Sequence, residues 1–335
     1  MKYRSLGGTG MRVSEFALGA MNFGRSTNAD DAARVIHAAL DAGVNLVDTA
    51  DVYGRGESEM IVGQALRGRR DTVVLATKFG LPMGDDPNQA GGSARWIRRA
   101  VEDSLRRLRT DHIDLYQMHR ADYDTDLAET LAALSDLISE GKVRAIGHST
   151  FPVERIVEAQ WVAEQGGHHR FLAEQPRYSI FHRTIESAVL PTAQRYGMGV
   201  LTYGPLASGW LAGRDDPAGG VRARVAAQDF DLSVPGNQAK VDALRRLRVL
   251  AQDAGVRLPD LALGFVRAHP AVTSVLLGPR TLEQLTDLLT GIDVELGEEV
   301  LDRIDAIVAP GTELNPADNY YVAVPAITDK RLRRR

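Results

Sequence analysis

Side chains that can exchange protons follow several apolar runs of this sequence. The run that begins at Val44 ends in Asp48, and Tyr53 comes shortly after it. Lys78 closes the next apolar run, and His119 closes the one after that. Enzymes commonly use aspartate, tyrosine, lysine and histidine to donate, accept or hold a proton. Their recurrence at the ends of successive runs indicates a catalytic site.

Polar and aromatic groups continue this pattern further along the chain. Ser149 and Thr150 follow the fifth apolar run, Gln175 ends the sixth and Tyr203 ends the seventh. Ordinary strand ends carry turn residues such as Gly, Pro, Asn, Asp and Ser. Here functional groups stand at one strand end after another, so we expect them to share one edge of the fold.

Eight short apolar runs are predicted to be strands, with amphipathic segments between them. Most strand-to-strand intervals are close to roughly 30 residues, which is typical of parallel βαβ units. Eight such units favour an α/β fold of the closed (β/α)8 TIM barrel type, whose active site lies at the carboxyl ends of its strands. The predicted strands cover residues 16–20, 44–48, 72–77, 113–118, 143–149, 171–175, 199–203 and 274–278.

The segments around these strands complete the predicted architecture. Apolar residues at helical spacing predict helices over 29–43, 94–108 and 126–141. The turn GGTG between KYRSL and RVSEF predicts an N-terminal β-hairpin. A doubly wound sheet would need a G-x-G-x-x-G turn after its first strand, and GGTGM does not supply one. We predict a single domain over 1–335, with a barrel over about 16–309, a long loop at 204–238 after strand seven and a C-terminal tail at 310–335.

The composition excludes several kinds of site and partner. The 335 residues include no cysteine, which rules out disulfides, zinc–thiolate sites and thiol nucleophiles. A net charge of -4 gives no general attraction to nucleic acid or to an anionic membrane. No apolar run approaches the roughly 18 residues of a membrane span, and the N-terminus lacks the apolar core of a signal peptide. We therefore expect a cytoplasmic protein.

Three motifs, VDTADVYG, LATKFG and DLYQMH, follow the segment LGGTGMRVSEFALGAMNFG. They resemble motifs of the aldo-keto reductases, in particular of bacterial NADPH-dependent members. The resemblance covers essentially the whole chain, as far as GPRTLEQL near the C-terminal helices. It implies a (β/α)8 barrel that transfers hydride from NADPH to an aldehyde or ketone.

By this resemblance Tyr53 would be the general acid, and His119 would orient the carbonyl group. Lys78 would lower the pKa of Tyr53, and Asp48 would hold Lys78 charged. Asp51 is left without a role.

The resemblance also implies a set of cofactor contacts. Ser149, Thr150 and Gln175 would hold the nicotinamide carboxamide, with Thr150 in place of the family's asparagine. Tyr203 would stack on the nicotinamide ring. Arg280 would pair with the 2′-phosphate, which favours NADPH over NADH. Leu288 replaces the asparagine that contacts adenine. The full predicted set is Gly19, Ala20, Met21, Ser149, Thr150, Gln175, Tyr203, Leu206, Ser208, Gly209, Arg214, Arg280 and Gln284, with Arg224 as an additional candidate.

Two further features have structural as well as functional interpretations. Thr281 and Gln284 fit a capping box at the start of a helix. Trp96 and Trp210 could line a substrate pocket, although Trp96 also fits the apolar stripe of its helix. Neither the spacing nor the neighbours of the histidines at 168–169 suggest a metal site.

More than one function is compatible with these residues. The leading hypothesis is an NADPH-dependent reductase of small carbonyl compounds, and a reductase of keto-sugar nucleotides is a variant of it. The channel-associated beta subunits also resemble this family, which leaves a cofactor-sensing binding protein open. A third hypothesis is a barrel enzyme of other chemistry, such as an isomerase with His119 as its base. The motifs do not specify the physiological substrate or the oligomeric state.

Overall fold

A computed structural model of the chain describes residues 1–213 and 227–319, together with positions 325, 329–332 and 334. Eight parallel strands form a closed barrel, and a two-stranded antiparallel hairpin precedes it. The described residues also contain ten α-helices. The predicted (β/α)8 barrel with an N-terminal hairpin is therefore confirmed.

Each predicted strand matches an observed one, and the ends differ by at most two residues. The last barrel strand pairs with both the strand before it and the first barrel strand, which closes the barrel. The hairpin consists of β1 (Tyr3–Ser5) and β2 (Arg12–Ser14). The barrel strands are β3 (Phe16–Gly19), β4 (Leu46–Asp48), β5 (Val74–Phe79), β6 (Ile113–Met118), β7 (Val143–Ser149), β8 (Ala173–Gln175), β9 (Gly199–Thr202) and β10 (Ser274–Leu277).

Several helices begin at a residue whose side chain caps them. Asn28, Ser93 and Asp126 each accept a hydrogen bond from an amide in the first turn of the helix that follows. No helix of the described residues has the length and apolar character required to cross a membrane. The helices are α1 (Ala29–Asp41), α2 (Glu57–Ala65), α3 (Ala94–Leu108), α4 (Leu127–Ser139), α5 (Val153–Gly166), α6 (Val189–Arg195), α7 (Pro235–Asp253), α8 (Leu258–Ala268), α9 (Leu282–Leu289) and α10 (Glu298–Ile307).

The N-terminal hairpin closes the end of the barrel where the strands begin. Leu6 is fully buried, and the interior around it is filled by small and aliphatic side chains. Gly7 has a φ of +49°, and a Cβ atom there would lie 2.4 Å from the Gly199 nitrogen at the start of β9. Only glycine allows this close approach. The opposite end of the barrel, where the strands finish, remains for the functional site.

Strand alternation decides which polar side chains enter the barrel. Ala76 belongs to the interior cluster, so Lys78, two residues further along β5, faces the same way. Thr77 faces outward and donates a hydrogen bond to Glu59 of α2 at 2.6 Å. His148 also faces outward and pairs with Glu174 of the neighbouring strand. His148 therefore lies outside the site that its neighbour Ser149 enters.

Candidate active site

Asp48, Tyr53 and Lys78 meet at the carboxyl end of the barrel. Lys78 is fully buried, and its Nζ lies 2.6 Å from Asp48 Oδ2 and 3.4 Å from the Tyr53 hydroxyl. The same ammonium group donates to the carbonyl oxygen of Thr49 at 2.9 Å. A lysine has three N–H donors, and each is directed to one of these acceptors. The arrangement fixes a positive charge beside the phenol.

Two glutamines complete the hydrogen bonding of Asp48. Gln175 Nε2 donates to Asp48 Oδ1 at 2.8 Å, and Gln117 Nε2 donates to the same oxygen at 3.1 Å. Gln117 was not among the residues predicted from the sequence. The available signal was alternation, because Gln117 lies two residues after Leu115, which faces the barrel interior. Asp48 is thus held by side chains from three other strands.

Burial has the largest influence on the ionisation of Tyr53. Burial raises the pKa of Tyr53, Lys78 lowers it, and Asp48 raises it, so that the pKa lies above its ordinary value. The predicted lowering by Lys78 is present but is smaller than the effect of burial. Burial lowers the pKa of Lys78, but Asp48 and Tyr53 together raise it above its ordinary value. At neutral pH the site therefore combines a protonated phenol with a charged lysine.

His119 contributes a neutral imidazole. Burial lowers the pKa of His119 well below its ordinary value, and the positive charges of Lys78 and Arg120 add to this effect. The His119 ring meets Tyr53 edge to face, with the ring centroids 5.7 Å apart. Its Nδ1 has no hydrogen-bond partner among the described residues. A neutral imidazole can donate a hydrogen bond, but it does not act as a cationic acid at neutral pH.

A tight turn between β4 and α2 positions Tyr53. Gly54, Arg55 and Gly56 follow Tyr53 with positive φ values of 60°, 53° and 95°. Positive φ is unfavourable for a non-glycine residue such as Arg55, and strain of this kind clusters at functional sites. A Cβ atom at Gly56 would lie 2.5 Å from Cδ of Arg107 on α3. The glycine allows the turn to pack against this helix.

Three hydroxyl groups cluster at the ends of β7 and β9. Thr150 Oγ1 lies 3.2 Å from the Tyr203 hydroxyl and 3.4 Å from Ser149 Oγ, and Ser149 Oγ donates to the carbonyl oxygen of Gln175 at 2.9 Å. Thr150 has a φ of 55°, which is unusual for a β-branched residue. Hydroxyls both donate and accept hydrogen bonds, as a carboxamide requires. The contacts of these residues with the nicotinamide carboxamide stay predictions. The predicted carboxamide contact of Gln175 stays a prediction, because its Nε2 is directed at Asp48.

The loops after β3 and β10 are tied to each other. Asn22 Nδ2 donates to the carbonyl oxygen of Gly278 at 3.0 Å, and Thr27 Oγ1 donates to that of Arg280 at 2.9 Å. These bonds bring Arg280 to the loop that follows Gly19 at the end of β3. Two groups of predicted cofactor residues, far apart in sequence, are thus on adjoining loops.

The predicted capping box at the start of α9 is present in a slightly altered form. Thr281 is the N-cap residue, and its Oγ1 accepts from the amide of Gln284 at 3.3 Å. The side chain of Gln284 accepts from the amide of Arg280 at 2.9 Å, one residue before the cap. Gln284 therefore has a structural contact, and its predicted role toward the cofactor stays a prediction.

The remaining predicted cofactor residues lie at strand ends or in the loop after β9. The Ala20 amide donates to the carbonyl oxygen of Asp48 at 2.8 Å, and Met21 beside it is 41% exposed. Ser208 and Gly209 have positive φ values of 59° and 107°, and they follow Leu206 in a tight turn. Arg214 and Arg224 lie outside the described residues.

The two tryptophans considered as pocket residues are both buried. Trp210 stacks on Phe230, with the ring centroids 5.1 Å apart, and its Nε1 donates to the carbonyl oxygen of Asp229. Trp96 lies on the buried stripe of α3. Neither ring is exposed at the catalytic group.

A second polar cluster lies beneath the segment that follows α10. Glu313 and Asp318 contact opposite ring nitrogens of the buried His182, with Asp318 Oδ2 lying 3.5 Å from Nε2. Lys240 Nζ lies 2.5 Å from the same oxygen of Asp318. One ligand atom from each of His182, Glu313 and Asp318 lies within 4.8 Å of the others, but the ammonium group of Lys240 already neutralises Asp318. The geometry therefore fits a buried ionic network that holds this segment to the barrel.

Comparison with known proteins places the chain in a family. Residues 15–309 match the model of the Aldo/keto reductase family. The chain is 39% identical over 326 residues to an uncharacterized oxidoreductase of Bacillus subtilis, which covers 93% of this chain and 98% of that protein. It is 36% identical over 320 residues to a probable voltage-gated potassium channel subunit beta of Oryza sativa, which covers 92% and 97%. It is 32% identical over 330 residues to an aldo-keto reductase of Emericella nidulans, which covers 91% and 81%.

This chain belongs to the aldo/keto reductase family. It is an oxidoreductase that depends on a nicotinamide cofactor and acts on the carbonyl groups of small molecules.

Proposed function

We propose that this protein reduces an aldehyde or ketone to the alcohol, with NADPH as its cofactor and Tyr53 as its general acid. The observation that carries the proposal is the burial of the Lys78 ammonium group between Asp48 and the Tyr53 hydroxyl, at 2.6 Å and 3.4 Å. Burying a charged lysine costs free energy unless the charge is paired. A buried ammonium group beside a phenol is explained if it stabilises the phenolate that Tyr53 becomes when it donates its proton.

The chain's own residues have distinct parts in this reaction. When bound, the reduced nicotinamide supplies the hydride. Tyr53 donates its proton to the carbonyl oxygen, and Lys78 stabilises the phenolate that remains. Asp48 keeps the lysine charged through this change. His119 is neutral, so it orients the carbonyl oxygen by a hydrogen bond and leaves Tyr53 as the proton donor at neutral pH.

The preference for NADPH is supported by Arg280. This arginine directly precedes the capped N-terminus of α9, a position where backbone amides favour an anion. Its guanidinium suits the two-point hydrogen bonding of a phosphate. We propose that Ser149, Thr150 and Tyr203 hold the nicotinamide end and that Arg280 holds the 2′-phosphate.

Replacement of Tyr53 by phenylalanine tests the proton donor. Tyr53→Phe should lose roughly 10²- to 10⁴-fold in kcat for carbonyl reduction while its NADPH dissociation constant is unchanged. Tyr116→Phe is the matched control, because Tyr116 is fully buried on the outer side of β6 and its hydroxyl has no hydrogen-bond partner among the described residues. Near-normal turnover of Tyr53→Phe, or an equal loss in Tyr116→Phe, would contradict the assignment.

A second function is favoured by one of the comparisons. The rice relative named as a probable potassium channel subunit beta is 36% identical to this chain over most of its length. A cofactor-sensing partner protein could keep the same site. A stable protein partner in pull-downs, together with no NADPH oxidation across a broad panel of aldehydes, ketones and keto-sugar nucleotides, would favour this function over the reductase.

An isomerase that uses His119 as its base is disfavoured, because the lowered pKa of His119 makes it a weak base.

A further inference from the structure

The turn at residues 206–209, which follows β9 and which we call the Ser208 turn, has an unfavourable backbone conformation. Ala207, Ser208 and Gly209 have φ values of 47°, 59° and 107°. Only glycine adopts a positive φ at little cost, so Ala207 and Ser208 must be held in place by the structure around them. Ser208 and Gly209 are also predicted cofactor contacts. Whatever supports this turn therefore bears on cofactor binding.

Arg177, two residues after the end of β8, contacts the Ser208 turn. Its Nη2 donates to Ser208 Oγ at 3.4 Å. A Cβ atom at Gly204 would lie 3.7 Å from Arg177 Cγ, so the stem of the arginine passes close to the residues that lead into the turn. The backbone keeps the two loops side by side, because the Tyr203 amide donates to the carbonyl oxygen of Pro176 at 3.0 Å. Arg177 therefore reaches the turn from a fixed base.

The same guanidinium group also holds residues 312–318, which follow α10 and which we call the C-terminal segment. Arg177 Nη1 donates to the carbonyl oxygen of Asp318 at 2.8 Å. Asp318 and Ser208 are 110 positions apart in the sequence, and Arg177 contacts both of them with different nitrogens. The side chain of Arg177 thus bridges the Ser208 turn and the C-terminal segment.

The C-terminal segment is itself anchored to the rest of the protein. Lys240 Nζ lies 2.5 Å from Asp318 Oδ2, and Asn315 Nδ2 donates to Asn237 Oδ1 at 3.0 Å. Lys240 and Asn237 belong to α7, and all four side chains are buried. Breaking such buried polar contacts is costly, so the segment is a firm support. Through Arg177 the strained turn gains a connection to this support.

We propose that Arg177 is a positioning residue for the cofactor: it joins the Ser208 turn to the C-terminal segment and thereby slows the release of NADPH. An arginine suits this part, because its planar fork presents N–H donors on separate nitrogens to two acceptors at once. Arg177 acts on the cofactor through Ser208. The effect on NADPH rests on the proposed function, whereas the connection between the turn and the segment does not.

The dissociation rate of NADPH tests this positioning role. Arg177→Met keeps an unbranched side chain and removes the bridge, so it should release NADPH about 2- to 12-fold faster in stopped-flow displacement, as the loss of the hydrogen bond to Ser208 implies. Arg246→Met is the matched control, because Arg246 of α7 also donates to a main-chain carbonyl oxygen, that of Ala306, at 2.8 Å. An unchanged rate in Arg177→Met, or an equal increase in Arg246→Met, would overturn the proposal.

A double-mutant cycle determines whether Arg177 acts through Ser208. Ser208→Ala removes the hydroxyl group that accepts the hydrogen bond from Arg177. In the Ser208→Ala background, Arg177→Met should change the NADPH dissociation rate much less than it does in the wild type. If the two effects on the rate multiply, Arg177 acts independently of Ser208 and the proposal fails.

Arg177→Lys separates the shape of the side chain from its charge. Lysine keeps the positive charge but carries its donors on one nitrogen, so it cannot reproduce the two-nitrogen bridge. This variant should therefore release NADPH faster than the wild type. A rate no higher than that of the wild type would assign the role to the charge alone and would overturn the bridge.

Hydrogen exchange without cofactor tests the connection independently of the proposed function, because it reports local opening. The amides of Gly209 and Asp318 are hydrogen-bonded within the turn and within the segment, each at 2.9 Å. Both should exchange faster in Arg177→Met than in the wild type, and neither should change in Arg246→Met. Unchanged exchange of either amide in Arg177→Met would overturn the connection. If the wild type does not bind NADPH, the proposed function fails, while the exchange rates still decide whether Arg177 joins the turn to the segment.

Discussion

Replacement of Asp48 by asparagine removes a negative charge from a buried pair with almost no change in shape. Asp48 Oδ2 accepts from Lys78, and Oδ1 accepts from Gln117 and Gln175. Asparagine has one acceptor and one donor end. In one orientation the asparagine NH2 group would face the Lys78 ammonium group, and in the other it would face the NH2 groups of the two glutamines. In both orientations the lysine would lose its anionic partner.

The expected magnitude follows from the burial of the pair. Both side chains are almost completely inaccessible, and breaking a buried ion pair by removing one partner costs about 3–5 kcal/mol. We expect the free energy of unfolding of Asp48→Asn to decrease by that amount at neutral pH. Burial would then be opposed only by Tyr53, so the pKa of Lys78 should fall. Turnover should fall with it, because an uncharged lysine cannot stabilise the phenolate of Tyr53.

Urea unfolding of a double-mutant cycle separates this effect from simple damage to the fold. Lys78→Met removes the charge and keeps a side chain of similar length. The double variant Asp48→Asn/Lys78→Met should be less destabilised than the sum of the two single variants, because it leaves no unpaired charge. If the two effects add, or if Asp48→Asn alone is as stable as the wild type, the reasoning about the buried pair is refuted.

Three further predictions concern two predicted cofactor residues, Arg280 and Thr150, and Gly7 at the end of the barrel where the strands begin. Arg280→Met should weaken NADPH binding at least roughly 10- to 100-fold in fluorescence titrations, because each charged hydrogen bond to the phosphate contributes about 1.5–3 kcal/mol, and it should have little effect on NADH binding. Equal weakening of both would count against the phosphate contact. Thr150→Asn should raise the unfolding free energy by about 1 kcal/mol, because asparagine tolerates the observed φ of 55° better than threonine; lower stability would exclude relief of strain. Gly7→Ala should lower the melting temperature far more than Gly10→Ala in calorimetry. A Cβ atom at Gly7 would lie 2.4 Å from the Gly199 nitrogen, whereas a Cβ atom at Gly10 would have no neighbour within 4 Å among the described residues. Similar losses in the two variants would contradict this packing.

The strand positions could be predicted because each strand is a short apolar run bounded by turn residues. Ile113–Met118 and Val143–Ser149 match the prediction at both ends. At Val74–Phe79 the observed strand begins and ends two residues later than predicted. The shift reflects pairing with β6, where Phe79 bonds in register with Met118, and a local pattern does not contain that information.

The site itself was only partly predictable. Asp48, Tyr53, Lys78 and His119 could be recognised because each closes or follows a strand in a fixed order. The contact between Asp48 and Gln175 spans 127 positions and depends on the register of the barrel, which no local motif encodes. The ionisation of Tyr53 was similarly beyond the sequence, since it depends on how deeply the phenol is buried.

A single-turnover experiment decides whether Tyr53 is the proton donor, because it separates chemistry from cofactor binding and product release. Protein preloaded with NADPH is mixed with an aldehyde, and the loss of the reduced nicotinamide signal and the formation of alcohol are followed together. For the wild type we expect one alcohol for each NADPH consumed. Tyr53→Phe should bind the same amount of NADPH but consume it roughly 10²- to 10⁴-fold more slowly. Equal rates in the two proteins, or NADPH loss without alcohol, would refute the proposed reaction.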